Sequence, residues 1–224
     1  MPGMAKPLIP PTFLFRFSIP CHAIESLDRA DEMVADDRFI VPHLGSLERD
    51  AGFEPFAELR AAWATEGLVF HLRVTGKSKP VWCREGRIES SDGLHVWLAT
   101  RETSSIARAN QFCHQFAFLP AGGGNLRDRP VAAQVWIHQA RAHPHPVPDG
   151  SLTVRARQER GGYTLTAIVS FAALTGFEVS EQRELGFFYE VVDSEKGRQS
   201  LSLPVDFFRF AEDPSLWARL TRRG

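Results

Sequence analysis

Short segments in which apolar and polar residues alternate recur along most of this chain, and turn residues separate them. Successive side chains of a β-strand point to opposite faces, so each segment is typical of a strand with one face in a core. About ten such strands are predicted, because the pattern recurs roughly every ten residues. They span residues 13–19, 57–64, 68–74, 94–99, 112–119, 131–139, 152–158, 163–170, 185–192 and 200–208. We therefore predict an all-β fold, an antiparallel β-sandwich with jelly-roll-like topology, rather than an alternating α/β fold.

Helical periodicity is almost absent from the sequence, so only one or two short helices are expected. The acidic residues 28–37 predict one surface helix, and residues 171–176 predict a single helical turn that ends at Gly176. Residues 120–125, which are rich in glycine, are predicted to form a loop. Residues 141–150 contain three prolines and are excluded from any central strand.

Nothing in the sequence divides the chain into separate units, and residues 1–224 are interpreted as one β-sandwich domain. Residues 55–208 are its main body, and residues 1–54 supply an N-terminal strand and extension. The chain has 224 residues, of which 43% are hydrophobic and 24% charged, so its core needs no disulfide or metal. The three cysteines, Cys21, Cys83 and Cys113, lack metal-binding spacing and are expected as buried free thiols.

The charge balance limits the classes of partner. The net charge is −1, so no positive field would attract nucleic acid or an anionic membrane. The N-terminal residues lack the pattern of a secretory signal, and no apolar run reaches the roughly 18 residues that a membrane span needs. We therefore expect a cytoplasmic protein.

Aromatic and imidazole side chains occupy the polar positions of three predicted strands. Every second residue is apolar in Leu68–Val74, Leu94–Leu98 and Val131–Ile137. If these apolar residues point into the core, the residues between them share the opposite face of the sheet. These candidate ligand-binding residues are His71, Arg73, His95, Trp97, Gln134, Trp136 and His138. Trp97 and Trp136 would stack on a sugar ring while the polar side chains bind its hydroxyls, with Trp82 and Arg101 as rim residues. The alternative is that a loop, a third layer or a second subunit covers this face.

Motifs for catalysis are missing, so the chain is not expected to be an enzyme. It has no GxSxG, HExxH, P-loop or Rossmann pattern. A glycoside hydrolase would need a carboxylate pair, such as Glu89 with Asp92 or Glu190 with Asp193. His138, His143 and His145 lie close together in the sequence, but their spacing matches no established metal site. Neither a metal nor a cofactor is therefore expected.

Three segments, in this order, resemble carbohydrate-binding module family nine and the related DOMON-like β-sandwiches. They are Ser91–Arg101, Gly162–Gly176 and Leu185–Asp193, and together with the hairpin before them the similarity covers about residues 55–208. The resemblance implies a jelly-roll sandwich and, in some members, a sugar held between tryptophans. Other relatives hold haem or have no known ligand.

The sequence therefore predicts a non-catalytic domain that binds carbohydrate through an aromatic sheet face. A haem- or metal-binding DOMON-like domain and a protein-interaction or structural sandwich remain as alternatives, and a glycoside hydrolase is less favoured. A homodimer that buries the aromatic face also remains open.

Overall fold

Strands dominate the computed structural model, which describes residues 17–43, 55–201 and 209–224. Within these residues the chain forms eleven strands and one four-residue α-helix, α1, at Ala30–Met33. The strands are β1 (Ser18–Ala23), β2 (Ala57–Ala64), β3 (Gly67–Thr75), β4 (Gly93–Ala99), β5 (Cys113–Gly123), β6 (Arg129–Val135), β7 (Leu152–Glu159), β8 (Gly162–Ser170), β9 (Glu184–Asp193), β10 (Gly197–Ser200) and β11 (Ala218–Arg223). Short 3₁₀ helices lie at Asp37–Phe39, Glu85–Ser90, Phe171–Ala173 and Pro214–Leu216. The all-β prediction is confirmed.

Hydrogen bonds join the strands in the order β6-β5-β4-β9-β11-β1-β2-β3-β8-β7, and β10 pairs with β9. We call β6, β5, β4 and β9 the front half, and β2, β3, β8 and β7 the back half. The sheet folds over so that β5 and β6 lie close to β7 and β8, which nearly closes it. Between the halves, the ring of Phe70 on β3 stacks on that of Phe187 on β9, with 5.8 Å between centroids. This arrangement agrees with a β-sandwich at a coarse level.

The strand pairing departs from the predicted antiparallel pattern at β1. This strand pairs in parallel with both β11 and β2, whereas the other ladders are antiparallel in the described part of the chain. Residues 13–16 of the predicted first strand and residues 202–208 of the predicted last one lie outside the described residues. The prediction missed β11, where only Ala218 and Leu220 mark the buried face and arginines occupy half of the strand.

The predicted loop at residues 120–125 is wrong in its first half, because β5 continues to Gly123. The ladder between β5 and β6 shifts register between Leu119 and Gly123, as in a β-bulge. Gly122, with a φ of +109°, lies within this shift. Its N–H donates to the carbonyl oxygen of Arg127 at 2.9 Å, which draws the following turn back over the end of the strand.

Several smaller expectations are confirmed. Helix α1 lies within the predicted surface helix, and the turn at Phe171–Ala173 forms. Cys21, Cys83 and Cys113 are buried free thiols, and burial raises the pKa of Cys21 to about 12. No helix in the described ranges combines the length and the apolar character that crossing a membrane would require.

Candidate ligand-binding face

The outer face of the front half carries the polar and aromatic side chains of β4. Leu94, Val96 and Leu98 point into the core, so His95 and Trp97 point outward. Directly opposed residues of antiparallel strands share a face. Because Trp97 opposes Gln115 on β5 and Phe188 on β9, while His95 opposes Glu190, these side chains form one continuous surface.

This surface is covered rather than open, and the expectation of an exposed Trp97 is wrong. Trp97 and His95 are each only 2% exposed. The ring of Trp97 packs at 5.3 Å from Phe188, which itself stacks on Phe210 at 5.5 Å. His95 lies beneath the 3₁₀ helix at Glu85–Ser90, whose Ile88 backbone hydrogen-bonds the imidazole. The alternative of a face covered by loops therefore describes these two residues correctly.

Two polar atoms on this covered face have no hydrogen-bond partner among the described residues. They are Nε2 of His95 and Nε1 of Trp97, whose rings stack with 6.0 Å between centroids. Burial, together with the Arg198 charge, lowers the pKa of His95 to about 4, so the ring is neutral at neutral pH. Nε2 of this neutral ring and the indole N–H of Trp97 both lack a partner in the described part of the chain, although the two rings stack. Buried polar atoms normally have partners, so this pair suits a group that both donates and accepts, such as a hydroxyl.

We expect the pKa of His95 to make the fold less stable in mild acid. A histidine whose folded pKa lies below the unfolded value of about 6.5 takes up its proton on unfolding. Its stabilising contribution is therefore complete above pH 6.5 and is lost as the pH falls toward about 4. NMR titration of the imidazole carbons should show no substantial protonation of His95 between pH 8 and 5. Protonation of His95 near pH 6.5 would contradict the burial described here.

A cavity of about 620 Å³ lies at one end of the outer face, within the usual size range of small-molecule sites. Its lining residues are Trp82, Arg84, Glu85, Gly86, Arg87, Gly122, Gly124 and Arg127. The cavity forms where the extended end of β5 meets the segment between β3 and β4. Beneath it, Cys83 packs on Leu119 and Ala121.

A buried ionic cluster fixes the segment that carries Trp82. Nζ of Lys77 lies 3.0 Å from Oδ2 of Asp92 and 2.5 Å from Oδ2 of Asp193, and all three side chains are at most 2% exposed. Asp92 also accepts a hydrogen bond from the backbone N–H of Trp82 at 3.0 Å. Burial alone would lower the pKa of Lys77, but the hydrogen bonds to Asp193 and Asp92 outweigh it and raise that pKa. Sequence analysis missed this cluster, although Lys77 is one of only four lysines in the chain.

The other candidate residues are not brought to this face. His71 and Arg73 lie on the outer face of the back half, where Nδ1 of His71 is 3.0 Å from Oγ1 of Thr166. Arg101 lies at the opposite end of β4 and donates to the carbonyl oxygen of Gly176 at 2.7 Å. A single site containing all three is therefore excluded.

The predicted register of β6 is wrong by one residue. Gln134 opposes Phe116, which is a core residue, so Gln134 faces the interior instead of sharing a face with Trp97. There it hydrogen-bonds the backbone of His145 and Val147 in the following loop.

Trp136 and His138 follow the end of β6. Trp136 is 49% exposed and lies 5.0 Å from the ring of His143. Nδ1 of His138 lies 3.1 Å from Oε1 of Glu212. Of the predicted binding residues, His95 and Trp97 remain neighbours, and the predicted rim residue Trp82 lines the cavity beyond them.

Three of the four carboxylates named for hydrolysis are engaged in ion pairs. Lys77 pairs with the fully buried Asp92 and Asp193, and Glu190 pairs with Arg198 at 2.5 Å. Among the residues that the structure describes, no group of three His, Cys, Asp or Glu side chains is arranged to hold a metal ion.

Solved structures of carbohydrate-binding modules share this fold. A family 9 module from Caldicellulosiruptor kristjanssonii in complex with cellotriose aligns with a TM-score of 0.57 and 12% identity, over 92% of this chain and 94% of that one. A family 9 module from the same organism in complex with glucose aligns with a TM-score of 0.56 and 12% identity, over 92% of this chain and 96% of that one. A protein from Bacteroides uniformis also aligns with a TM-score of 0.56 and 12% identity, over 92% of this chain and 99% of that one. No protein-family model and no curated protein matches the sequence. This likeness establishes a fold similar to that of family 9 modules.

Proposed function

We propose that this protein is a non-catalytic module that binds a saccharide at the outer face of the front half. The observation that carries the proposal is the cavity of about 620 Å³ lined by Trp82 and by polar side chains. The shared fold of modules whose structures contain cellotriose and glucose supports it at a distant level.

The chemistry of the cavity suits a sugar. An indole ring offers a flat apolar surface to the C–H face of a pyranose, and neighbouring guanidinium groups donate to its hydroxyl oxygens. The guanidinium of Arg84 lies 5.7 Å from the Trp82 ring centroid and holds that ring from one side.

A binding role is favoured over hydrolysis because Asp92, Asp193 and Glu190, three of the carboxylates considered for hydrolysis, are held in ion pairs. An acid–base pair needs one carboxyl that can take up and release a proton at the substrate. Asp92 is fully buried and receives hydrogen bonds from Lys77, Trp82 and Ser194, so it serves to position the segment.

Replacing Trp82 by alanine is expected to weaken saccharide binding by about 1–3 kcal/mol, roughly 10- to 100-fold, because the stacking surface is lost. The measurement is calorimetric titration with a ligand first identified on a glycan array. Trp136→Ala is the matched control, since it removes an exposed tryptophan away from the cavity. Affinity that falls with Trp136→Ala but not with Trp82→Ala, or an array on which nothing binds, would refute the proposed function.

A further inference from the structure

Positive charge is concentrated at the Trp82 cavity in a chain whose net charge is only −1. Arg84, Arg87 and Arg127 line the cavity, and Glu85 is the one acidic residue among its lining side chains. Some guanidinium groups elsewhere pair with a carboxylate, as Arg198 does with Glu190, and others donate to backbone carbonyls, as Arg101 does to Gly176. No carboxylate in residues 17–43, 55–201 and 209–224 lies within ion-pair distance of the three cavity arginines. The cavity therefore presents cations whose charge is not neutralised from within the described chain.

The backbone holds two of these arginines in defined positions. Arg127 has a φ of +56°, a left-handed conformation that is uncommon for residues other than glycine. It is kept there because its carbonyl accepts from the Gly122 N–H at 2.9 Å and its N–H donates to the Gly124 carbonyl at 3.1 Å. Arg84 is anchored by its N–H, which donates to Oγ of Ser91 at 2.9 Å, and by its Nη1, which donates to the Cys83 carbonyl at 3.1 Å. Backbone outliers of this kind concentrate at functional sites.

We propose that the saccharide bound by this cavity is acidic, with its carboxylate group held by Arg87 and Arg127 and its ring against Trp82. This inference rests on the proposed function and names its ligand class. The fork of N–H donors on a guanidinium matches the two oxygens of a carboxylate, which neutral sugars lack. Because these arginines are exposed, their attraction for an anion falls as salt rises.

The test compares each acidic oligosaccharide with its own carboxyl-reduced derivative, which keeps the stereochemistry and loses the charge. The probes are oligogalacturonate and oligoalginate, titrated calorimetrically at low salt and again at about 0.5 M salt, where the Debye length is under about 5 Å. At least one acidic probe should bind tenfold or more tightly than its reduced form, and the preference should shrink at high salt. The double variant Arg87→Gln, Arg127→Gln should abolish the preference.

A charge-matched double variant, Arg157→Gln with Arg160→Gln, removes one arginine of β7 and one of the turn that follows it, and should keep the preference. Equal loss in both double variants would mean nonspecific attraction and would overturn the inference. Equal binding of acidic and reduced probes would also overturn it, while leaving the proposed function intact if Trp82→Ala abolishes that binding. Absence of binding by every acidic and neutral saccharide would overturn both. Melting temperatures of all variants confirm that each is folded.

Discussion

Replacing Lys77 by methionine is expected to lower the free energy of unfolding by about 3–5 kcal/mol, because removal of one partner leaves buried charge uncompensated. Nζ of Lys77 is the cation between the fully buried carboxylates of Asp92 and Asp193. Without it, two negative groups would face each other in the interior, and one must take up a proton for the fold to persist. Urea denaturation monitored by tryptophan fluorescence measures the loss.

Lys79→Met provides the matched control for this variant, because Lys79 is an exposed lysine in the same segment. We expect that change to stay within about 0.5 kcal/mol of the parent. The variant Lys77→Met with Asp193→Asn should be less destabilised than the sum of its single changes, since each single change leaves a partner without its counter-charge. Strict additivity, or a Lys77→Met protein as stable as Lys79→Met, would show that the ionic cluster does not form.

Trp97→Ala is expected to cost about 3–5 kcal/mol of stability, because truncating a buried aromatic residue leaves a cavity. The Trp97 side chain is 2% exposed and packs on Phe188, and that contact continues to Phe210. Trp97→Phe should retain most of this packing while removing the free Nε1 donor. Chemical denaturation of the two variants separates the packing contribution from the contribution of the polar atom.

Trp136→Ala is again the comparison, since its side chain is 49% exposed, and a loss below about 1 kcal/mol is expected. If Trp97→Ala unfolded no more readily than Trp136→Ala, the outer face of β4 would be open to solvent. That result would support the prediction from the sequence that Trp97 is an exposed surface on which a sugar ring stacks.

Alternation predicted the hairpin of β2 and β3 well because those strands bury one face much more than the other along most of their length. Leu68, Phe70, Leu72 and Val74 are all at most 1% exposed, and the register follows from them. Alternation failed to predict the register of β6, because every residue of this strand after Arg129 is partly buried, whichever face of the sheet it lies on. When neither face is fully buried, the sequence of a strand no longer states which face is the inner one.

The covered state of Trp97 depends on contacts between residues far apart in the chain. Phe188 lies on β9 and Phe210 in the segment before β11. No local sequence pattern indicates that Phe188 packs on Trp97 or that Phe210 packs on Phe188. The cavity was only partly predictable for the same reason. The sequence identified Trp82 as a rim residue. Its proximity to Arg127, however, depends on the continuation of β5 past Pro120. The glycine-rich sequence there had instead predicted a loop.

The position of β11 has a consequence for the order of folding. Along the hydrogen-bonded path, β11 and β1 are the strands that connect the front half to the back half. The last of these strands is formed by residues 218–223, so on a ribosome the connecting ladder cannot form before residue 223 has been synthesised. Until then the unpaired edges of β1 and β9 are exposed to other chains, and such edges promote aggregation. Closure between distant parts of the chain also predicts slow folding, on the scale of milliseconds to seconds that is typical of non-local β-sheets.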